Sequence, residues 1–335
     1  MAELSKKILT EMQFKNEVLK CEYCEERPCK DGCPAGCSPF DFIMASRLME
    51  KQDFLRAAAI IMKNNPLGGI CGFVCPDRHC MAKCSRRDFD GSVKIPEVQA
   101  YIIQKAKELG GIPEFLKPRS NGKKVAIVGS GPAGLSCAAF LAQKGFKVKI
   151  YEEKKKPGGA LNLIPDFRLP RRVIEGDIEF VKTLGDIEIE TGKKIDRAFE
   201  LLEEYDAVVV AVGLWQPVLP GIKGEEKAIT MVDYLSNPKK YKFTGKVAVI
   251  GGGATAVDCA VTAKKRGAKS VEMFALETLA EMPLTEKEKQ ELFENGIEVS
   301  GRTTVLSINV KKGKILNLKT AKVKLVGKKF SLKDI

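Results

Sequence analysis

The stretch VAIVGSGPAG, residues 125–134, decides the fold of the central part of this 335-residue chain. Its first four residues predict a short buried strand that runs into Gly129, Gly131 and Gly134, and a helical pattern follows over Leu135–Gln143. A strand, a G-x-G-x-x-G turn and a helix in this order let the backbone approach a pyrophosphate at the helix N-terminus. The stretch therefore predicts a dinucleotide-binding unit.

The sequence after this helix completes the unit. Lys147–Tyr151 predicts the second strand, and Glu152 comes at its end, 23 residues after Gly129. An acidic residue at this place accepts a hydrogen bond from a ribose hydroxyl. We expect an adenine dinucleotide here, with Ala133 of the glycine turn among its contacts.

A second strand, glycine loop and helix lie about 120 residues further on. Val247–Ile250 predicts the strand, and the loop GGGATA carries alanine in place of the third glycine. The residues expected to contact a second dinucleotide are Gly251, Gly253, Thr255 and Ala256. The repeat predicts two doubly wound nucleotide-binding units, and a nicotinamide dinucleotide is the natural occupant of the second.

Composition is that of an ordinary globular chain with room for two or three domains. The longest apolar run, 207–215, has about nine residues, whereas a membrane helix needs roughly 20. The charged start over 1–14 has no signal-peptide core, so we expect a soluble, cytoplasmic protein with no membrane partner. The net charge is +13, and residues 301–335 hold ten Lys/Arg and one Asp. Because no aromatic residues interleave with these charges in a recognition motif, no nucleic-acid partner is expected.

Nine of the eleven cysteines lie within Cys21–Cys84, in two blocks. The first reads C-x2-C-x4-C-x3-C-P over 21–34, with Cys37 beyond it, and the second reads C-x3-C-P-x3-C-x3-C over 71–84. Such density in an intracellular chain favours metal binding over disulfides. Zinc also accepts thiolates, but only the first two cysteines have its usual C-x2-C spacing. A run that ends in Cys-Pro is typical of two-cluster ferredoxins, which favours [4Fe–4S] clusters over zinc or free redox thiols.

The cysteine blocks, together with NPLG at 65–68 and CGFVCP at 71–76, resemble the N-terminal iron–sulfur domain shared by the glutamate synthase small subunit and dihydropyrimidine dehydrogenase. The resemblance continues through GSGPAG, IPDFRLP at 164–170 and the second glycine loop, so it covers nearly the whole chain. It implies an NAD(P)H oxidoreductase that passes electrons through FAD and two [4Fe–4S] clusters to an electron-accepting partner subunit or domain.

The same resemblance implies the cluster ligands. Carried over by position, the first cluster takes Cys21, Cys24, Cys29 and Cys84. The second takes Cys33, Cys75 and Cys80, and its fourth ligand, a glutamine in dihydropyrimidine dehydrogenase, falls on Gln99. Cys37 and Cys71 then have no ligand role, and we interpret them as small apolar residues beside a cluster.

The resemblance also implies FAD at the first glycine loop. The elements PGG at 157–159 and DAVVVAVG at 206–213 look like flavin-binding elements of two-dinucleotide flavoproteins. The residues expected around FAD are Glu152, Gly158, Gly159, Arg168 and Gly213, with Arg168 in a structural or inter-domain role rather than a catalytic one. Because the cofactors carry the chemistry, no catalytic side chains are expected.

Glu277 bears on the choice between NADH and NADPH. In NADPH-using relatives an arginine pair stands a few residues before a Met-Pro, and Leu276-Glu277 holds that place before Met282-Pro283. A carboxylate repels the 2′-phosphate of NADPH, so the sequence favours NADH. By strict analogy with Glu152, the acid would stand at the position of Ala275. The alternative is therefore that Glu277 is a solvated surface residue.

These inferences predict an α/β protein with three regions. A helical two-cluster iron–sulfur domain covers 1–118, the first segment of a Rossmann-like FAD domain covers 119–225, and a Rossmann-like NAD(P) domain covers 226–335. Relatives of this architecture return to the flavin domain through a Gly-Asp motif, and we expect that closing segment, roughly 100 residues, to be absent from this sequence.

Two functional questions stay open. The acceptor is either the large subunit of a glutamate-forming enzyme or a flavin barrel that reduces a pyrimidine, and Gln99 and Glu277 favour the second. The alternative to an oxidoreductase is a flavin-free iron–sulfur relay or scaffold subunit, as the expected absence of the closing flavin segment suggests.

Overall fold

The computed structural model describes residues 8–110, 115–326 and 329–331, and the side chains up to residue 324. The chain divides into two compact units. The first comprises 1–162 and 166–213, and the second comprises 163–165 and 214–335. The cysteine-rich region and the first glycine loop thus lie in one unit. The finer limits at 118/119 and 225/226 stay predictions.

The cysteine-rich region is helical, as expected from its sequence. Its α-helices are α1 (Glu11–Leu19), α2 (Pro28–Asp31), α3 (Pro39–Ala45), α4 (Lys51–Asn64), α5 (Gly68–Val74) and α6 (Ile95–Glu108). Rings from three of these helices form its centre, where Phe14 stacks on Tyr101 with centroids 4.2 Å apart and Phe54 lies 5.9 Å from Tyr101. Burial of these rings joins α1, α4 and α6 into one core.

Local signals explain the start of α3 and the end of α4. Ser38 and Pro39 have the residue types that favour an N-cap and a first helical position, and the Ser38 side chain accepts a hydrogen bond from the Asp41 N–H at the start of α3. Phe40, Ile43, Met44 and Leu48 recur near a 3.6-residue period, but the helix ends at Ala45 and Leu48 is 77% exposed. Helix α4 ends at Asn64 because the proline two residues later restricts the chain.

A four-stranded parallel sheet follows in the first unit, in the order β3-β2-β1-β4. Its strands are β1 (Lys124–Val128), β2 (Lys147–Glu152), β3 (Ile187–Thr191) and β4 (Ala207–Val210), and its α-helices are α7 (Pro132–Ala142) and α8 (Arg171–Thr183). Val128 pairs with Tyr151, so β1 and β2 end at the same edge of the sheet. This register brings the first glycine loop next to Glu152.

The second unit has a three-stranded parallel sheet in the order β5-β6-β7. Its elements are α9 (Met231–Ser236), β5 (Lys246–Ile250), α10 (Ala254–Lys265), β6 (Ser270–Phe274), α11 (Glu286–Glu294) and β7 (Glu298–Ser300), then β8 (Thr303–Lys311), β9 (Lys314–Lys322), β10 (Lys324–Val326) and β11 (Lys329–Ser331). β8 and β9 form an antiparallel hairpin, which carries much of the lysine-rich segment. Among the described residues, no helix combines the length and the apolar character that crossing a bilayer requires.

Candidate functional site

Four cysteines line one cavity in the first unit, and they are the four predicted to hold the first cluster. Cys21, Cys24 and Cys29 come from α2 and the loop before it, and Cys84 comes from the segment between two 3-10 turns. The cavity is open to solvent, and about 380 Å³ of space, part of it open solvent, lies among its lining side chains. Its remaining lining residues are Glu22, Arg27, Pro28, Phe40, Ile43, Ser85, Arg86, Val93 and Ile95.

The chemistry of these thiols fits a four-iron cluster. Burial raises the pKa of Cys21 and of Cys29 to about 11, so binding a metal there requires loss of the thiol protons. No group of three or more His, Cys, Asp or Glu side chains in the described residues is arranged to hold a metal ion. Four separate thiols around a shared space match a cluster, in which each thiolate binds its own iron.

Four polar side chains at this cavity were missed by the sequence analysis, those of Glu22, Arg27, Ser85 and Arg86. The Cys24 thiol lies 3.1 Å from the Ser85 hydroxyl. The Arg27 guanidinium stacks 4.5 Å from the Phe40 ring centroid, and Arg86 pairs with Asp90 at 2.5 Å. Ser85 and Arg86 directly follow Cys84 in sequence, which is the signal that could have identified them.

The predicted ligands of the second cluster also lie near one another. A hydrogen bond from the Cys37 thiol lowers the pKa of Cys33 to about 6. Burial raises the pKa of Cys75 to about 12, with smaller contributions from Cys71 and Cys33. Burial likewise raises the pKa of Cys80 to about 12, and the neighbouring Cys75 and Cys33 add to it. Cys33, Cys75 and Cys80 therefore form one thiol group, and Cys37 and Cys71 adjoin it.

Gln99 is buried in α6, and its amide is oriented by α5. The Gln99 Nε2 donates to the Gly68 carbonyl at 2.6 Å, which leaves Oε1 as the amide atom that can act as a ligand. Gly72 makes this packing possible, since a Cβ there would lie 2.7 Å from the Cα of Ala100. Helix α5 ends just before Cys75, so Gln99 is packed against the helix that leads into a predicted ligand.

The first glycine loop has the expected geometry. Gly129 has a φ of +104°, and its N–H donates to the Tyr151 carbonyl at 2.8 Å. Gly134 lies so close to the loop that a Cβ would be 2.0 Å from the Gly129 carbonyl oxygen. Gly131 caps α7 with no side-chain hydrogen bond, so the first N–H groups of that helix have no side-chain cap. Such a terminus binds a phosphate.

The segment Gly158–Gly159, predicted from the resemblance to be a flavin-binding element, packs onto this loop. The Gly158 N–H donates to the Ser130 carbonyl at 3.0 Å, and a Cβ at Gly159 would lie 2.8 Å from the Gly131 Cα. Two other predicted neighbours of FAD lie in the same unit. Gly213 follows β4 with a φ of +75°, and Arg168 is half-buried before α8.

Glu152 is buried and bound to the glycine loop itself. One carboxylate oxygen accepts from the Ser130 N–H at 2.9 Å and from the Ser130 hydroxyl at 2.5 Å, and the other accepts from the Lys154 N–H at 2.8 Å. Ser130 is fully buried. The sequence analysis missed Ser130 as the partner that orients Glu152, although the serine lies within the glycine motif.

The second glycine loop repeats this design in the second unit. Gly251 has a φ of +136°, its N–H donates to the Phe274 carbonyl at 2.9 Å, and Gly253 caps α10 without a side-chain hydrogen bond. Thr255 is exposed in the first turn of α10, and Ala256 is half-buried beside it.

Glu277 is directed toward this second loop. A Cβ built on Gly252 would lie 3.0 Å from the Glu277 Oε2 and 3.1 Å from the Ala275 Cβ. The Glu277 side chain is half-buried. Its carboxylate therefore faces the glycine loop, and its role in coenzyme choice stays a prediction.

Two protein-family models match this chain, one on each side of residues 111–122. Residues 123–329 match the family described as pyridine nucleotide-disulphide oxidoreductase. Residues 1–110 match the family described as dihydropyrimidine dehydrogenase domain II, 4Fe-4S cluster.

Individual relatives are similar over most of the chain. The NAD-dependent dihydropyrimidine dehydrogenase subunit PreT of Escherichia coli O157:H7 is 33% identical over 303 residues, which cover 87% of this chain and 72% of the relative. The glutamate synthase [NADPH] small chain of E. coli K12 is 30% identical over 338 residues, covering 94% and 71%.

Among solved structures, the 6-hydroxypseudooxynicotine amine oxidase HisD of Pseudomonas geniculata N1 has a TM-score of 0.50 at 20% identity. The match covers 88% of this chain and 43% of HisD, and it supports the fold alone. The matches at the level of sequence confirm the predicted α/β fold and the iron–sulfur region. The chain belongs to the pyridine nucleotide-disulphide oxidoreductase family and carries an N-terminal 4Fe-4S domain of the dihydropyrimidine dehydrogenase type.

Proposed function

We propose that this oxidoreductase is an electron-input module that takes electrons from NADH and delivers them to a partner subunit. When bound, the cofactors supply hydride transfer from nicotinamide to FAD and single-electron transfer from FAD through two [4Fe–4S] clusters. The protein binds these groups, orients them and sets their surroundings. The observation that carries the proposal is the cavity lined by Cys21, Cys24, Cys29 and Cys84.

A second cluster at Cys33, Cys75 and Cys80 is supported by the mutual proximity of these thiols. Gln99 supplies the fourth ligand through its Oε1, because its Nε2 is held by the Gly68 carbonyl. An amide oxygen is a weaker donor than a thiolate and carries no charge. The reduction potential of this cluster should therefore differ from that of the all-cysteine cluster.

FAD is proposed at the first glycine loop. The uncapped N-terminus of α7 receives the pyrophosphate, and the backbone at Gly131 has open space where a Cβ would stand. Glu152 is fixed by Ser130 at the end of β2, where an acid accepts from the ribose.

NADH is proposed at the second loop, where the Glu277 carboxylate faces Gly252. The names of the relatives include both NAD-dependent and NADPH enzymes. The choice between the coenzymes therefore rests on the residues of this chain.

The first unit also supports electron transfer between the FAD loop and the clusters, because it contains both. Asp177 of α8, which follows the FAD loop, is fully buried and accepts hydrogen bonds from the N–H of Ile70 at 2.7 Å and from Lys107 at 3.2 Å. Ile70 lies in α5, and Lys107 lies in α6. These contacts fix the second thiol group relative to the flavin-binding sheet.

The partner is proposed to be an electron-accepting subunit. One relative is named as a subunit of a dihydropyrimidine dehydrogenase and the other as the small chain of glutamate synthase. A pyrimidine-reducing partner is favoured for two reasons. Gln99 falls at the position of the glutamine ligand of dihydropyrimidine dehydrogenase, and Glu277 favours NADH over NADPH.

Anaerobic purification with iron, sulfide and flavin analysis tests the proposal. Two clusters require about eight iron and about eight acid-labile sulfides per chain. FAD adds resolved visible bands, which NADH should bleach. Stoichiometric zinc with little sulfide would contradict the clusters, whereas full iron with no flavin bands would favour the relay or scaffold subunit.

A further inference from the structure

An arginine lies beside the proposed coenzyme-selecting residue in the second unit. The turn between β7 and β8 packs against the end of β6, where the Thr303 N–H donates to the Ala275 carbonyl at 2.9 Å and the Arg302 N–H donates to the Glu277 carbonyl at 3.3 Å. The Arg302 guanidinium donates to the Leu276 carbonyl at 3.4 Å. A cation thus stands at the strand end where a dinucleotide ribose is selected.

This arginine is held by a carboxylate on the same surface. The Arg302 Nη2 lies 2.6 Å from the Glu281 Oε1. The other oxygen of Glu281 accepts from the Thr278 N–H at 2.9 Å and from the Thr278 hydroxyl at 2.8 Å. The Thr278 backbone N–H, its hydroxyl and the Arg302 charge together hold the pKa of Glu281 below its usual value. Glu281 therefore stays charged at neutral pH and is anchored independently of Arg302.

The local charge balance differs from that expected of an NADPH site. A guanidinium at the end of the second strand is the group that accommodates a 2′-phosphate, through charge-assisted hydrogen bonds. In this chain Glu281 engages that guanidinium, and Glu277 adds a second negative charge facing the glycine loop.

We propose that Glu281 is a positioning residue for coenzyme choice, which holds Arg302 away from a 2′-phosphate and so favours NADH over NADPH. The proposal rests on the proposed function, in that a nicotinamide dinucleotide binds at the second glycine loop. It adds that the preference comes from two acids with different roles. Glu277 faces the coenzyme, and Glu281 acts through Arg302.

The test measures Kd for NADH and for NADPH by calorimetry, with the full chain at low ionic strength. Glu281→Gln keeps an oxygen that can accept from Thr278 and removes only the charge that holds Arg302. We expect it to tighten NADPH binding by roughly threefold to tenfold, the effect of one charge near a surface, while the Kd for NADH changes by less. The double variant Glu281→Gln/Arg302→Met should lose this gain, because the released cation is gone.

Glu286→Gln is the matched control. Glu286 is an exposed acid of the same unit that pairs with Lys289 at 2.8 Å in α11. Its substitution removes the same charge and should leave the ratio of the two Kd values unchanged.

The outcomes separate the two proposals. If the chain binds a coenzyme but Glu281→Gln leaves the NADPH to NADH ratio unchanged, or if the double variant keeps the gain, the role of Glu281 is wrong and the dinucleotide site stands. If the unmodified chain binds neither coenzyme, the dinucleotide site fails and the role of Glu281 fails with it.

Discussion

The backbone N–H of Ile70 donates to the carboxylate of Asp177 at 2.7 Å, across 107 residues of sequence. Asp177 is fully buried, and the Lys107 ammonium lies 3.2 Å from its other oxygen. A glycine is needed at position 69, because a Cβ on Gly69 would lie 2.5 Å from the Asp177 carboxylate. Burial raises the pKa of Asp177, and Lys107 together with the N–H groups of Ile70 and Gly69 opposes this effect. The cysteine-rich helices α5 and α6 are therefore joined to helix α8 by a buried polar contact that leaves little space for a larger side chain.

Asp177→Asn should destabilise the chain by about 3 kcal/mol, because removing one partner of a buried pair leaves the other charge uncompensated. Guanidinium denaturation of the full chain measures this loss. Asp186→Asn is the control, since Asp186 is 66% exposed and lies 3.9 Å from Lys147. It should change stability by less than about 0.5 kcal/mol. Equal effects of the two substitutions would contradict a structural role for the buried contact.

The two clusters should be lost separately. Cys84→Ser removes one thiol of the first cavity, and Cys80→Ser removes one of the second group. Each variant is expected to keep about half of its iron and sulfide. Cys71→Ser, at a cysteine with no predicted ligand role, should keep all of its iron. Loss of one cluster in Cys71→Ser, with Gln99→Ala unaffected, would instead make Cys71 the fourth ligand.

Gln99→Ala should alter the electron paramagnetic resonance signal of one reduced cluster and leave the other unchanged. The amide oxygen is then replaced by solvent or by a neighbouring thiol, which changes the charge and potential of that cluster. Gln104→Ala is the control, because Gln104 lies on the same helix and its amide donates to Glu108 on an exposed face at 3.2 Å. Unchanged spectra for both clusters in Gln99→Ala would refute the ligand assignment.

Local sequence patterns predicted the parts of the fold that depend on local physics. The strand at Val125–Val128, the helix start at Ser38-Pro39 and the glycine turns were predictable, because spacing and capping act over a few residues. Leu48 shows the limit of this approach. It fits the apolar period of α3, but the helix ends at Ala45 and leaves it exposed.

Contacts between distant residues could not be predicted in this way. Asp177 has no unusual sequence context, and only the fold places it against Ile70. The same holds for Arg302, which pairs with Glu281 across 21 residues. That Cys84 would lie near Cys21, Cys24 and Cys29 was predictable from the family resemblance, because the resemblance assigns all four to one cluster.

Tyr234→Phe should stabilise the chain by about 1 kcal/mol at neutral pH, because a buried hydroxyl without a partner costs free energy. The Tyr234 side chain is 5% exposed, and its hydroxyl has no hydrogen-bond partner in the part of the chain that the structure describes. Its ring packs on Tyr241 and Phe243, and phenylalanine preserves these contacts.

The same residue gives a pH dependence with a definite sign. Burial raises the pKa of Tyr234 from its ordinary value of 10.0 to about 12. The folded state therefore favours the neutral phenol, and its contribution to stability is present below pH 10 and is lost as pH rises toward 12. The free energy of unfolding of Tyr234→Phe should therefore fall less between pH 8 and pH 11 than that of the unmodified chain. Tyr205→Phe is the control, because it removes a hydroxyl that is hydrogen-bonded to Tyr151 at 2.8 Å and should not stabilise the chain.

Replacing Leu276 and Glu277 together by arginine should weaken NADH binding and strengthen NADPH binding, each by roughly tenfold. The Glu277 carboxylate faces Gly252 of the second glycine loop, so it can accept from the ribose hydroxyls of NADH and repel the 2′-phosphate of NADPH. Calorimetry with each coenzyme measures the change, and the cluster spectra should stay as they are, because the clusters lie in the other unit. Tighter binding of NADPH than of NADH by the unmodified chain would show that Glu277 is a surface residue and does not select the coenzyme.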